Sequence, residues 1–236
     1  MVRITAGILE HASGKIENKV FRIMNGKTFV SNRPAKYNYS SSKGAVSRRA
    51  KFAVVIEFSK FINSIPSLKI IWTSAKIKGT TSFNRLIKYN TKQAGEKSPT
   101  INNVITPYEN IPSNNILNFP LHELHFSKEA GMIKIVMHKA ESGFEYNKDY
   151  NLALVLMPFE PKRKSYNYFR LNHLELTNNI TKDLPEINIE LDNSIISSLN
   201  RYKKIIIYFS AYREVGGRIK FLWSKTFAKE FNLEES

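Results

Sequence analysis

The sequence predicts an α+β fold: an N-terminal β-hairpin with about three helices, followed by an antiparallel immunoglobulin-like β-sandwich. Three observations carry this expectation. Asn25-Gly26 separates two stretches of alternating polarity, and that dipeptide tolerates the positive φ angles of a type I′ turn. Residues 45–90 then space their apolar side chains three and four apart, as helices do. From Ile116 the period shortens to that of strands, with turn residues roughly every 8–12 positions. These periods divide the chain into a basic hairpin-and-helix module over 1–92, a linker over 93–115 and a sandwich over 116–236.

A two-residue turn at Asn25-Gly26 sets Met24 opposite Lys27, Ile23 opposite Thr28, Arg22 opposite Phe29 and Phe21 opposite Val30. Phe21, Ile23, Thr28 and Val30 then share the face suited to a core. The other face mixes Arg22, Met24, Lys27 and Phe29, a composition suited to docking. Arg33-Pro34 ends the hairpin, and Ser42 is placed to cap a helix over Ala45–Asn63. Val46, Ala50, Ala53, Val54 and Phe61 line one side of that helix, widened by Phe52, Val55, Ile56 and Phe58. Its first turns carry Lys43, Arg48, Arg49 and Lys51, where the helix dipole opposes cations by about 0.3–1 kcal/mol each.

After Pro66, Leu68, Ile71, Trp72 and Ala75 mark a second short helix that Gly79 stops. Ser82 is the expected cap of a third, with Phe83, Leu86 and Ile87 inward. Trp72 and Phe83 read as core anchors rather than exposed stacking platforms. Residues 91–115 are polar and hold Pro99, Pro107 and Pro112, as a linker or long loop would.

Seven strands are expected beyond that point, over 116–126, 131–139, 150–157, 166–176, 184–191, 203–212 and 217–227. Alternation is clearest at Ile133, Ile135, Met137 and at Ile187, Ile189, Leu191. Gly216-Gly217 suits a hairpin between the last two strands, and 193–200 suits a short helical crossover. Seven short strands without a long intervening helix match an immunoglobulin-like sandwich in architecture. The disulfide of that fold is missing, because the chain has no cysteine.

The same absence removes thiolate catalysis and cysteine metal sites. His122 and His125 stand three apart on an expected strand and so project to opposite faces, which does not make the paired histidines of a zinc helix. No nucleophile elbow, phosphate loop or dinucleotide fingerprint is present. The expectation is a protein that is not an enzyme and has no catalytic residues, no metal and no cofactor. Met1–Ser13 lacks the apolar run of a signal peptide, and no stretch reaches the roughly 20 apolar residues of a membrane span. A cytoplasmic or particle-associated location follows as the expectation.

Charge points to the partner. The net charge is +16, and it is concentrated: residues 1–100 hold 19 Lys and Arg against four acids, whereas 101–236 hold 17 against 16. Such asymmetry draws one part of a chain towards a polyanion. The candidate residues for binding it are Lys15, Lys19, Arg22, Lys27, Arg33, Lys36, Lys43, Arg48, Arg49 and Lys51. Lys162-Arg163-Lys164 beside Tyr166 and Tyr168, and Lys203-Lys204, read as ordinary solvated turns that protect sheet edges.

The first ninety residues also resemble a functionally uncharacterised family of small basic proteins from bacterial genomes, often encoded in prophages among virion genes. The shared features are Gly14-Lys15-Ile16 with Asn18 and Val20, then Arg22, Gly26-Lys27, Arg33-Pro34, Arg49, Phe52, Trp72 with Ala75, and Phe83 followed by Asn90. Glu17 stands where that family commonly carries glycine, and the glutamine usual before the helical arginine is missing. The resemblance implies a virion-associated or assembly role with no known catalytic residues. The expected function is therefore a structural protein that self-assembles or joins a larger protein complex, docking through its basic N-terminal module on an acidic partner or nucleic acid. The alternatives are a sequence-nonspecific nucleic-acid-binding protein using the same bases, and a glycan- or peptide-binding sandwich.

Overall fold

The structure is a computed structural model that describes residues 2–4, 12–24, 26–32, 40–75, 77–109, 111, 113–138, 144–180, 186–215 and 220–234. It is mixed helix and sheet, and the strands pair antiparallel in each of its three sheets. The chain divides into two compact units, residues 1–46 and 47–236.

The first unit is a four-stranded sheet of β1 (Val2–Ile4), β2 (Gly14–Ile16), β3 (Lys19–Met24) and β4 (Lys27–Asn32), in the order β1-β4-β3-β2. Met24 pairs with Lys27, Ile23 with Thr28, Arg22 with Phe29 and Phe21 with Val30. Asn25 lies outside the described residues. Phe21 and Thr28 are buried on one face, while Ile23 on that face stays 47% exposed. Glu17 turns β2 into β3 at φ 50, a left-handed conformation that costs a non-glycine residue.

The second unit begins within α1 (Lys43–Ser64), whose first turn Ser42 caps by accepting from Ala45 N at 3.4 Å. The helix turns Val54, Val55, Phe58 and Ile62 inward. Val46 and Phe52, expected on that side, are exposed, and Ser59 is buried instead. α2 (Pro66–Ser74) starts on its proline and ends before Gly79, because the side chain of Arg85 takes over its C-terminal carbonyls: it donates to Trp72 O, Thr73 O and Ala75 O at 2.8, 2.6 and 3.0 Å. α3 (Ser82–Asn90) is capped one residue earlier than expected, by Thr81 Oγ1 accepting from Asn84 N. Trp72 is fully buried, whereas Phe83 is only half-buried.

The described residues between 93 and 115 are folded onto this unit, not strung between domains. Ala94, Pro99, Asn103, Ile105, Thr106 and Pro107 are buried. Asn103 Nδ2 donates to Asn90 Oδ1 at 3.0 Å, Tyr208 Oη to Thr100 O at 2.7 Å, and Thr106 Oγ1 to Ser224 O at 3.0 Å. Their polarity serves internal hydrogen bonds rather than solvent. The division between the two compact units falls after Val46.

The strands that follow are β5 (Leu121–Ser127), β6 (Met132–Met137), β7 (Lys148–Pro161), β8 (Asn172–Ile180), β9 (Glu186–Glu190), β10 (Tyr202–Val215), β11 (Lys220–Trp223) and β12 (Phe227–Asn232), with α4 (Asn193–Leu199) between β9 and β10. One sheet runs β5-β6-β9; the other runs β11-β10-β7-β8, with β12 pairing along β10 beyond β11. The strand expected over 217–227 is in fact two pieces, broken where Ser224 Oγ accepts from Ala211 N. Gly216-Gly217 lie outside the described residues.

Alternation along the two central strands decides the layering. Leu152, Leu154, Leu156, Ile205, Ile207 and Phe209 share a core with Leu124, Ile133, Ile135, Ile187 and Ile189 of the smaller sheet. The intervening Ala153, Val155, Met157, Ile206 and Tyr208 pack with Val54, Phe58, Ile62, Leu68 and Trp72 of the helices. The large sheet is thus buried on both faces, which is why Leu152–Phe159 and Ile205–Tyr212 read as nearly unbroken apolar runs.

Candidate polyanion-binding site

The ten basic residues picked from the sequence fall in three places. Lys15 on β2, Arg22 on β3 and Lys27 on β4 are exposed and share one face of the N-terminal sheet: Lys15 opposes Val20, and Val20, Arg22 and Met24 alternate along β3. Lys19 is exposed on the opposite face, two residues from the buried Phe21. Lys43 begins α1, and Arg48, Arg49 and Lys51 follow on that helix, with Lys51 half-buried. Arg33 and Lys36 lie outside the described residues. Exposed apolar side chains stand among the sheet bases: Ile16 is 57% and Met24 50% exposed.

The supply of acids for internal neutralisation differs sharply along the chain, four for 19 bases in residues 1–100 and 16 for 17 beyond. Between residues 123 and 234, ion pairs join Glu123 with His125 and Lys229, Lys134 with Glu186, Lys203 with Glu234, Lys204 with Glu160 and Glu230, and Arg213 with Glu145; earlier in the chain Arg49 is engaged as well. Glu145 is held below the usual carboxylate range by its hydrogen bond and charge contact with Arg213. The histidines expected to diverge are engaged separately, His125 with Glu123 at 3.2 Å and the His122 ring against His138, centroids 4.4 Å apart.

Tertiary folding creates a second basic cluster that sequence spacing hid. The loop from β7 to β8 folds back on β7, with Arg170 N donating to Pro158 O at 3.0 Å and Glu160 N to Tyr168 O at 3.1 Å. The turn from α4 into β10 joins it, because Lys162 N donates to Arg201 O at 2.9 Å and Tyr202 pairs with Pro161. The two turns that looked like separate solvated tips therefore form one end of the central sheet. A crevice of about 310 Å³ opens there, lined by Ser165, Tyr166, Asn167, Arg170, Ser198, Arg201 and Tyr202. Its wall contains two guanidiniums and no carboxylate.

The Arg201 guanidinium lies over the Tyr166 ring, 5.4 Å from its centroid. Burial pushes the Tyr202 phenol above its ordinary range, against the pull of Arg170 and Arg201. Ser198 is 7% exposed, and its hydroxyl has no partner among the described residues. On the other side of Tyr166 a wider crevice, about 540 Å³, is lined by Glu160, Pro161, Lys164, Tyr166, Tyr168 and Lys203. Its one acid, Glu160, is already paired with Lys204 at 3.3 Å. The only sequence signal for this cluster was the pairing of bases with tyrosines in each turn; the convergence of the turns had none.

No helix among the described residues is long and apolar enough to cross a membrane. No protein-family model matches the chain, and no curated protein matches it.

Proposed function

We propose that the protein is a non-enzymatic assembly protein whose basic N-terminal part docks on an anionic surface of a larger particle. One observation carries this reading. The first hundred residues hold 19 Lys and Arg against four acids, so pairing within that stretch can neutralise few of them. Uncompensated like charges raise the energy of the free chain, and an external anionic partner lowers it. Exposed Met24 beside Lys15, Arg22 and Lys27, with exposed Ile16 beside Lys19 on the opposite face, suits a protein surface, which offers apolar contact as well as charge. The resemblance to proteins encoded among virion genes supplies the setting, a phage particle.

The finer architecture belongs to the same proposal. In an immunoglobulin-like domain, strands A, B and E form one sheet and C′, C, F and G the other. The orders β5-β6-β9 and β8-β7-β10 with β11 and β12 support that reading strand for strand. The register across Met24 and Lys27 likewise supports an N-terminal hairpin at Asn25-Gly26.

Sedimentation velocity of the full chain, with electron microscopy of its native particles, tests the assembly role. The chain is expected in a particle or as a defined oligomer, and Arg22→Glu with Lys27→Glu should release it at lower salt. A strict monomer absent from any particle overturns the proposal. So does an unchanged salt dependence in the charge-reversed variant.

A further inference from the structure

We propose that the end of the large sheet built by the β7–β8 loop and the turn into β10 binds single-stranded nucleic acid, Arg170 and Arg201 taking a phosphate and Tyr166 stacking a base. This site lies in the second unit and does not depend on the N-terminal bases.

Three features separate it from ordinary solvated turns. Arg170 and Arg201 line the same crevice, and no carboxylate is among its lining residues. Two guanidiniums held on one concave wall repel each other, and a phosphate between them converts that repulsion into charge-assisted hydrogen bonds. The loop is also anchored: backbone bonds from Arg170 to Pro158, Glu160 to Tyr168 and Lys162 to Arg201 fix the positions from which the side chains project. Finally, the hydroxyl of Ser198, buried in the wall and without a partner among the described residues, is a spare donor facing the guanidiniums' crevice.

The arrangement of rings selects the ligand class. Tyr166 lines both crevices, one with Arg170 and Arg201 and the other with Lys164 and Lys203; the Arg201 guanidinium lies over one face of its ring, and the base stacks on the other face. Tyr168 follows, with Lys97 Nζ 5.5 Å from its ring centroid. A cation–ring–cation–ring series matches a polymer that repeats phosphate and base. A phosphopeptide supplies the phosphate but no regular series of rings. A duplex keeps its bases stacked inside and cannot offer one to Tyr166, whereas an unpaired strand can.

Fluorescence anisotropy with a labelled oligothymidine of about twelve nucleotides tests the assignment. The full chain should bind it with log K falling by about 0.7 per decade of salt for each phosphate neutralised. Arg170→Ala with Arg201→Ala should weaken binding about tenfold or more and flatten that slope. Tyr166→Ala should weaken it about fivefold or more, while Tyr166→Phe retains it, because stacking needs the ring and not the hydroxyl. Arg170 and Arg201 are exposed, so the double variant should keep its fold, as circular dichroism will show. The control, Lys60→Ala with Lys69→Ala at exposed positions of α1 and α2, should bind within about threefold of the parent. No binding at low salt overturns the proposal. Loss in the control variant alone, or a duplex bound equally well with Tyr166→Ala neutral, also overturns it. None of these outcomes bears on whether the chain joins a particle, so the two proposals fail separately.

Discussion

Trp72 and Trp223 donate their indole N–H groups to carbonyls two residues apart, Ile105 O at 2.8 Å and Pro107 O at 2.6 Å. One indole comes from α2 and the other from β11, so a short bent stretch is clamped between a helix and a strand. Both rings are fully buried. The clamp turns a proline-bearing polar segment into part of the core, and it explains why the helices and the large sheet behave as one unit.

Replacing either indole by Phe keeps most of the ring but strands a buried carbonyl, which costs about 1–3 kcal/mol. Trp72→Phe and Trp223→Phe should each lower the urea midpoint and expose residues 93–109 to limited proteolysis. Unchanged midpoints with no new cleavage would show that the indole hydrogen bonds do not hold the segment.

Arg85 is a cation with a structural task. It donates to Gly79 O as well as to three carbonyls at the end of α2. Arg85→Met keeps the aliphatic stem and removes every donor, so a loss of about 1–3 kcal/mol is expected. Lysine recovers only part of it, since a point ammonium cannot span the carbonyl array. Thermal denaturation of the two variants decides this; full rescue by Arg85→Lys would contradict it.

Glu17 sits at φ 50 in the turn between β2 and β3. Left-handed backbone costs a side-chain-bearing residue about 1–2 kcal/mol, partly offset by the extra freedom glycine has when unfolded. Glu17→Gly should therefore stabilise the first unit by about 0.5–1 kcal/mol. Hydrogen exchange of the β2 and β3 amides should slow; faster exchange would mean that the turn does not hold this conformation in solution.

His173 lies on β8 with Nε2 buried and without a partner among the described residues. Burial pushes its pKa below the ordinary value, and Glu175 opposes that shift only in part. The unfolded chain then takes up the proton first. Stability from this group is complete above the unfolded value of about 6.5 and declines as pH falls through it, until the folded histidine also protonates. His173→Gln should flatten the fall in urea midpoint between about pH 7.5 and 5.5. An identical pH profile in parent and variant would remove His173 as the cause.

What the sequence determined by itself was local. Asn25-Gly26 with its flanking alternation predicted the pairing of Met24 with Lys27, and Pro66, Leu68, Ile71 and Trp72 predicted a helix where α2 is found. Periodicity and turn chemistry reach only a few residues, and there they were enough. Ser82 failed as a cap by one position because Thr81 offers the same hydroxyl. Whether polar residues such as Asn90, Asn103 and Thr106 face water or one another depends on partners far along the chain, and so only the tertiary structure decided that Ala94, Asn103, Ile105 and Thr106 belong to the core. The same holds for charge. Counting bases located the excess before residue 100, but it could not place Arg170 beside Arg201, because strand pairing between β7 and β10 brings those turns together across about thirty residues of intervening chain.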